Sequence, residues 1–251
     1  MVSRYAQWQP SVAPRRHVVC VWVRENGGGD AHGQLVVPDG CVDLMWCDGA
    51  LEVVGPDRGA RTVPVRAGAG IAGVRLRPGA AGLLLGRLPA REVCDLQVPL
   101  AEVLPRDRVR RLADRLAGAE GPRAAGVLDA FAASLPTDHA PDPVVEHAVA
   151  VLGRPAPVRL SSLAGHVGLS ERQLRRRVTD AVGYGPKTLH AVLRFQRALA
   201  RARAGGAGLA EVALRAGYAD QAHFTREVRR LAGVPPTVLL GAGRTAQGVR
   251  S

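Results

Sequence analysis

The chain has 251 residues, 47% of them apolar, and a formal net charge of +12 carried by 33 arginines and a single lysine. That length accommodates one large or two modest domains, and that apolar content excludes a globally disordered chain. There is no apolar run of the roughly 18 residues a membrane span needs, and the N-terminus lacks the charged-then-apolar layout of a signal peptide, so the expectation is a cytoplasmic protein with reduced cysteines and no membrane partner.

The first half reads as strands. Residues 1–16 are polar and contain prolines, and are expected to be a loose lead-in. Residues 17–24 are apolar at nearly every position, the pattern of a strand buried on both faces. A Gly-rich loop follows at 25–33. Short strands are expected at 34–37 and 41–47 around the turn Pro38-Asp39-Gly40. Asp48-Gly49 then forms a hairpin turn into 51–54. Two more strands are expected at 61–66 and 71–76. Turn signals every ten or so residues suggest a small sandwich or barrel.

After Pro78 the periodicity becomes helical. Short helices are expected at 80–86, 90–94 and 100–104, and longer ones at 106–117 and 122–135. Their stripes, Val109, Leu112, Leu116 and Val127, Leu128, Phe131, Leu135, suit either a core or a dimer seam. Residues 137–143, rich in proline, read as a linker. A helix at 144–152 opens the second half, and the tail from Gly241 is expected to fray.

Charge divides the chain in the same place. Residues 1–140 hold 17 arginines against 15 acidic residues, whereas 141–251 hold 17 basic residues against 7 acidic ones. A near-neutral half joined to a strongly basic one predicts a polyanion partner for the second half only.

That basic half contains one pattern written twice. Leu174-Arg175-Arg176-Arg177-Val178, then Gly183 and Pro186, returns fifty residues later as Phe224-Thr225-Arg226-Glu227-Val228, then Gly233 and Pro236. Such a period marks one supersecondary unit used twice. Upstream of each copy lies an amphipathic stretch: Leu160, Leu163, Ala164, Val167 in the first and Leu209, Val212, Ala213, Ala216 in the second. A glycine turn follows, and then an N-cap, Ser170 or Asp220. Helix, short Gly turn and helix with a polar outer face is the helix-turn-helix grammar. Residues 187–203 form the long helix that joins the two units.

The segment Gly217-Tyr218-Ala219-Asp220-Gln221-Ala222-His223-Phe224-Thr225-Arg226, followed by Gly233-Val234-Pro235-Pro236, resembles the signature of the AraC/XylS transcription regulators. Gly168-Leu169-Ser170-Glu171-Arg172-Gln173-Leu174-Arg175-Arg176 is similar to their first helix-turn-helix. Residues 185–199 are similar to their connecting helix. The resemblance covers roughly 142–240. It departs from the family at Ala191, Ala222, Val228 and Val238-Leu239. Val37 to Trp46 and Gly73 to Ala80 resemble a recurrent N-terminal domain of one AraC-type subgroup.

The resemblance implies an α+β protein with a β-rich N-terminal sensor and its helical extension at 1–136. A linker at 137–143 leads to an all-α DNA-binding domain at 144–240, and a flexible tail occupies 241–251. It implies double-stranded DNA as partner, with RNA polymerase, a small-molecule effector and a homodimer as further partners, and no cofactor. Base contacts are expected from Arg172, Arg175, Arg176, Gln221, His223, Thr225 and Arg226. Arg donates a planar fork to guanine, Gln suits adenine, and Thr meets a thymine methyl. Phosphate contacts are expected from Ser170, Arg177, Lys187, Arg194, Arg197 and Asp220, the capping positions through the amides of the helix ends. Two linked units would sit in adjacent major grooves, about 34 Å apart, on a long non-palindromic site.

Asp39, Asp43, Trp46 and Arg75 are the candidate effector pocket. Cys20, Cys41, Cys47 and Cys94 lack any C-x2–4-C pair and read as free thiols rather than a zinc site. A cysteine that accepts an alkyl group from damaged DNA is the alternative function, and a ligand-independent dimeric DNA-binding protein is another. No nucleophile elbow, P-loop or His-Glu-x-x-His motif occurs, so no catalytic residue is assigned and an enzyme is not expected.

Overall fold

The computed structural model describes residues 4–11, 15–26, 32–65, 68 and 70–242. Its strands are β1 (Arg4–Trp8), β2 (Val18–Glu25), β3 (His32–Val36), β4 (Val42–Cys47), β5 (Ala50–Val54), β6 (Arg61–Val65), β7 (Gly70–Leu76) and β8 (Gln97–Pro99). Six of them form one antiparallel sheet in the order β1-β2-β7-β4-β5-β8, and β3 pairs with β6 as a separate ribbon. The β4–β5 turn places Asp48 at φ 48° and Gly49 at φ 81°. Two positive φ angles in a row match the right-handed twist of a hairpin, which is why Asp-Gly is favoured there.

Strand alternation sorts the sheet into two faces. Val21, Val23, Val42, Leu44, Ala72 and Val74 lie on one face, in the core. Over that face packs α3 (Gly121–Ala133), against β2 and β7. The smaller helices α1 (Gly82–Leu85) and α2 (Arg106–Leu116) complete this core through Leu84, Leu112 and Leu116. The apolar stripes of α2 and α3 are therefore spent inside the fold: Leu112, Leu116, Leu128, Phe131 and Leu135 are buried. A helix thus covers the core face, where a second sheet or a closed barrel was expected.

The second half is helical: α4 (Pro143–Leu152), α5 (Leu160–His166), α6 (Glu171–Val182), α7 (Pro186–Ala204), α8 (Leu209–Ala216), α9 (Gln221–Ala232) and α10 (Pro236–Ala242). Its core gathers Val145, Leu163, Leu174, Val178, Leu189, Phe195, Val212, Phe224, Val228 and Leu231. Cys94, from the first half, belongs to this second core.

Several short elements differ from expectation. Arg4–Trp8, read as a loose lead-in, is an edge strand, and Gln97–Pro99 is a strand as well. Ala90–Val93 and Leu100–Glu102 are single 3-10 turns after Pro89 and Pro99, too short to close an α-helix. Pro236–Ala242 forms a final helix. Residues 1–3 and 12–14 of the lead-in, 27–31 of the Gly-rich loop, Arg66 and the tail beyond 242 lie outside the described residues.

Gly73 lies mid-strand on β7, opposite Trp22 of β2. A Cβ there would fall within 2.7 Å of three atoms of the indole. Gly73→Val is therefore expected to lower stability by about 1–3 kcal/mol, the range for forced overpacking, as read from urea unfolding.

Candidate nucleic-acid interface

The second helices of the two units, α6 and α9, have equal length and match at an offset of fifty, whereas α5 and α8 start forty-nine residues apart because the second glycine turn, Gly217 to Asp220, holds one residue more than Gly168 to Ser170. Helices α6 and α9 each bury one apolar face: Leu174, Val178 and Val182 in the first, Phe224, Val228, Leu231 and Ala232 in the second. Each ends at a left-handed glycine, Gly183 (φ 96°) and Gly233 (φ 71°), and a proline three residues on starts the next helix.

Both helices are capped at their start, and the caps consume side chains. Ser170 and Gln173 form a reciprocal capping box: the Ser170 amide donates to Gln173 Oε1 at 2.9 Å, and the Gln173 amide to Ser170 Oγ at 3.3 Å. In the second unit Asp220 accepts the His223 amide at 2.6 Å, and His223 Nδ1 accepts the Ala219 amide at 3.5 Å. His223 also meets the Tyr218 ring edge-on at 5.2 Å. His223, expected to read a base, is thus half-buried and tied to its own turn; its counterpart Gln173 is exposed but tied to its turn in the same way.

What stays free lies one step further round each helix. Arg172, Arg175 and Arg176 stand at i, i+3 and i+4 on α6, all exposed; the matching places on α9 hold Ala222, Thr225 and Arg226. Gln221 is exposed and Thr225 is half-buried. Among the described residues, Arg172, Arg175, Arg176 and Arg226 have no ion-pair partner. Lys187 is exposed in the first turn of α7.

Two arginines expected on phosphate are engaged elsewhere. Arg194 binds Glu227 of α9 through two nitrogens, Nε at 3.1 Å and Nη2 at 2.7 Å, with its guanidinium 4.4 Å above the Tyr218 ring. Arg197 donates to the carbonyls of Ala216 (2.7 Å), Gly153 (2.6 Å) and Arg154 (3.0 Å), which ties α7 to the C-terminal ends of α8 and α4. Both guanidiniums are committed to partners within the helical half. Arg177 is exposed but pairs with Asp142, the N-cap of α4, at 3.1 Å. Asp220 keeps its carboxylate on the His223 amide. A phosphate there would be met by main-chain N–H groups alone, since like charges repel.

In the first half the sheet brings Asp39, Asp43 and Arg75 together but not Trp46. Arg75 on β7 lies directly across from Asp43 on β4 and holds it through Nε at 2.9 Å and Nη2 at 2.8 Å; its Nη1 is 3.1 Å from Asp39. Asp43 first, and then Asp39, hold the guanidinium pKa well above its ordinary value, while burial raises that of Asp39. Trp46 is three residues from Asp43, so the pleat turns it to the opposite face, against the α3-side core. The cluster is self-paired, with two carboxyl groups to one guanidinium.

Three of the thiols, Cys20 and Cys41 beside this cluster and Cys94 in the helical-half core, are held protonated. Burial pushes Cys20 up to about 11, with Asp43 and Asp39 adding to it; burial and then Asp39 push Cys41 well up; burial and then Asp95 push Cys94 to about 11. Among the described residues no group of three His, Cys, Asp or Glu side chains is placed to hold a metal, and no helix is long and apolar enough to cross a membrane.

Comparison with known proteins bears on this geometry. A helix-turn-helix domain family matches residues 163–241, and a domain of unknown function, DUF6597, matches residues 6–99. The C-terminal region is an AraC-type helix-turn-helix domain. Solved structures similar to the chain include ToxT from Vibrio cholerae O395, at 11% identity over 91% of this chain and 98% of that one, with a TM-score of 0.49. The unsaturated-fatty-acid-bound ToxT of strain SCE256 matches at 11% identity, 92% and 96% coverage and 0.48. The C-terminal domain of AraT, a response regulator from Geobacillus stearothermophilus, matches at 21% identity over 44% of this chain and 93% of that one, with 0.38. No curated protein sequence matches the chain.

Two tests follow from the packing of the AraC-type domain and its neighbour. The Arg194 and Glu227 side chains are only 15% and 11% exposed. Glu227→Ala, which strands the guanidinium, is expected to cost about 3 kcal/mol in thermal unfolding, and Arg194→Met with Glu227→Leu distinctly less. For Cys20 and Cys94, a raised thiol pKa predicts iodoacetamide labelling about a hundredfold slower in the folded chain than in urea at pH 8.

Proposed function

We propose that this AraC-type DNA-binding transcription regulator reads a specific duplex sequence with both helix-turn-helix units. The observation that supports this most directly is the set of exposed, unpaired arginines at matching places on α6 and α9, above all Arg176 and Arg226. A capped helix with its apolar face buried offers those side chains outward at a fixed angle, which is what base readout requires. The first unit, with Arg172, Arg175 and Arg176, favours guanines; the second, with Gln221, Thr225 and Arg226, favours a mixed sequence. Ser170, Lys187 and the amides at the two helix ends position the phosphate backbone.

Control through the N-terminal half belongs to the same proposal. A ligand that binds one arrangement of the two halves better than another would shift DNA affinity by that difference. The Asp39–Asp43–Arg75 cluster is the place where a charged effector would compete with existing pairs. Transfer of an alkyl group to a cysteine is the weaker reading, because Cys20, Cys41 and Cys94 are held as thiols and the thiolate is the nucleophile.

The test is binding to a duplex recovered by the full chain from a random-sequence pool, titrated with salt. Arg176→Ala and Arg226→Ala are each expected to weaken selective binding by about 1–3 kcal/mol, whereas Lys187→Ala lowers affinity for all sequences alike and flattens the salt dependence by about one unit. Equal affinity for every duplex, before and after substitution, would refute sequence reading.

A further inference from the structure

A single loop of the N-terminal half, residues 55–60, touches the ends of both recognition helices. Pro56 lies against Gly183, the residue that ends α6. A Cβ on Gly183 would lie 2.6 Å from Pro56 Cγ and 3.3 Å from the Ala90 carbonyl oxygen. Four residues later the Ala60 amide donates to the Leu231 carbonyl, in the last turn of α9, at 2.7 Å. That carbonyl has no partner of its own. The amide four residues on would be that of residue 235, which is a proline. The N-terminal half supplies the donor that the second unit lacks.

The loop is braced along its length. Gly55 donates to the Leu96 carbonyl at 2.9 Å, and the Asp95 amide and Cys94 Sγ both donate to the Pro56 carbonyl at 3.2 Å. Arg58 holds Asp95 through its amide (2.7 Å) and Nε (2.6 Å), and buried Asp57 pairs with Arg61 at 3.1 Å. Beside it, Arg91 pairs with Asp180 of α6. Four residues of chain span at most about 14 Å, so a displacement at one anchor is carried to the other.

We infer that residues 55–60 are a cross-brace that sets the separation of the two helix-turn-helix units, with Pro56 and Ala60 as positioning residues for DNA reading. This rests on the reading that both helices contact bases. The N-terminal half then governs which half-site spacing is accepted, through one stiff loop.

The experiment takes the full chain and the duplex it selects, and inserts one or two base pairs between the two footprinted segments. The unsubstituted protein is expected to lose affinity at least ~10-fold per insertion. Ala60→Pro removes the amide donor and Pro56→Ala removes the ring against Gly183; each is expected to cut that penalty to below ~3-fold, with affinity for the unaltered duplex changed by no more than ~10-fold, the reach of one hydrogen bond. Since a brace fails when either end is freed, the double variant shows the same residual penalty as each single one, which a general loss of stability would not produce. Circular dichroism melting identifies any variant that does not fold, and the other then carries the test. Folded variants that retain the full penalty, or an unsubstituted chain indifferent to insertions, would overturn the brace. Failure of selection to yield any preferred sequence would overturn the base reading beneath it.

Discussion

The helical domain depends on Arg197. A helix leaves its last carbonyls without partners, and the ends of α4 and α8 both point their spare carbonyls at α7. One guanidinium there answers those of Gly153, Arg154 and Ala216. Its five donors and planar fork suit that task, and a lysine ammonium in the same place would not reach all three. Around this point the other choices fall into line. Gly217 approaches Pro155 so closely that a Cβ would lie 2.5 Å from its carbonyl oxygen, and its φ of 91° closes the turn into α9. One turn earlier on α7, Arg194 fixes the rotation of α9 through Glu227. The outward aim of Arg226, the next residue back, is set by that inward pair.

The sheet solves a different problem with similar means. Its far face carries charge, and Arg75 neutralises Asp43 across the strand while reaching Asp39 in the preceding turn. The same turn meets the helical half: the Pro38 carbonyl accepts from Gln196 of α7 at 2.6 Å, and Gly40 faces the hydroxyl of buried Tyr184. A change in the charge cluster and a change in the position of α7 are thus mechanically adjacent.

Much of the helical half was legible because its signals are local. Apolar spacing, an N-cap, a glycine and a proline all lie within one turn of what they control, and the fifty-residue repeat doubles each of them. The partners of the arginines on α7 are not legible for the opposite reason: they lie 19 to 44 residues away, and sequence shows an arginine on a helix without showing which carbonyl or carboxylate it meets. Strand β1 was missed because Arg4–Trp8 is half polar and gains its order only by pairing with β2. Trp46 is a different case. Its odd spacing from Asp43 places the two on opposite faces of any strand, so period-two alternation alone separates them.

Cys94 lies in the chain's first half and in the second half's core, packed among residues such as Val182 and Tyr184. Packing between the two halves therefore reaches across the proline-rich linker. Grafting this helical domain onto another sensor would leave a thiol-sized hole and a bare Gly183 where Pro56 had stood. The two halves behave less like interchangeable cassettes than like a fitted pair, and a chimera would have to bring along residues 55–60 and 90–95 to remain well packed.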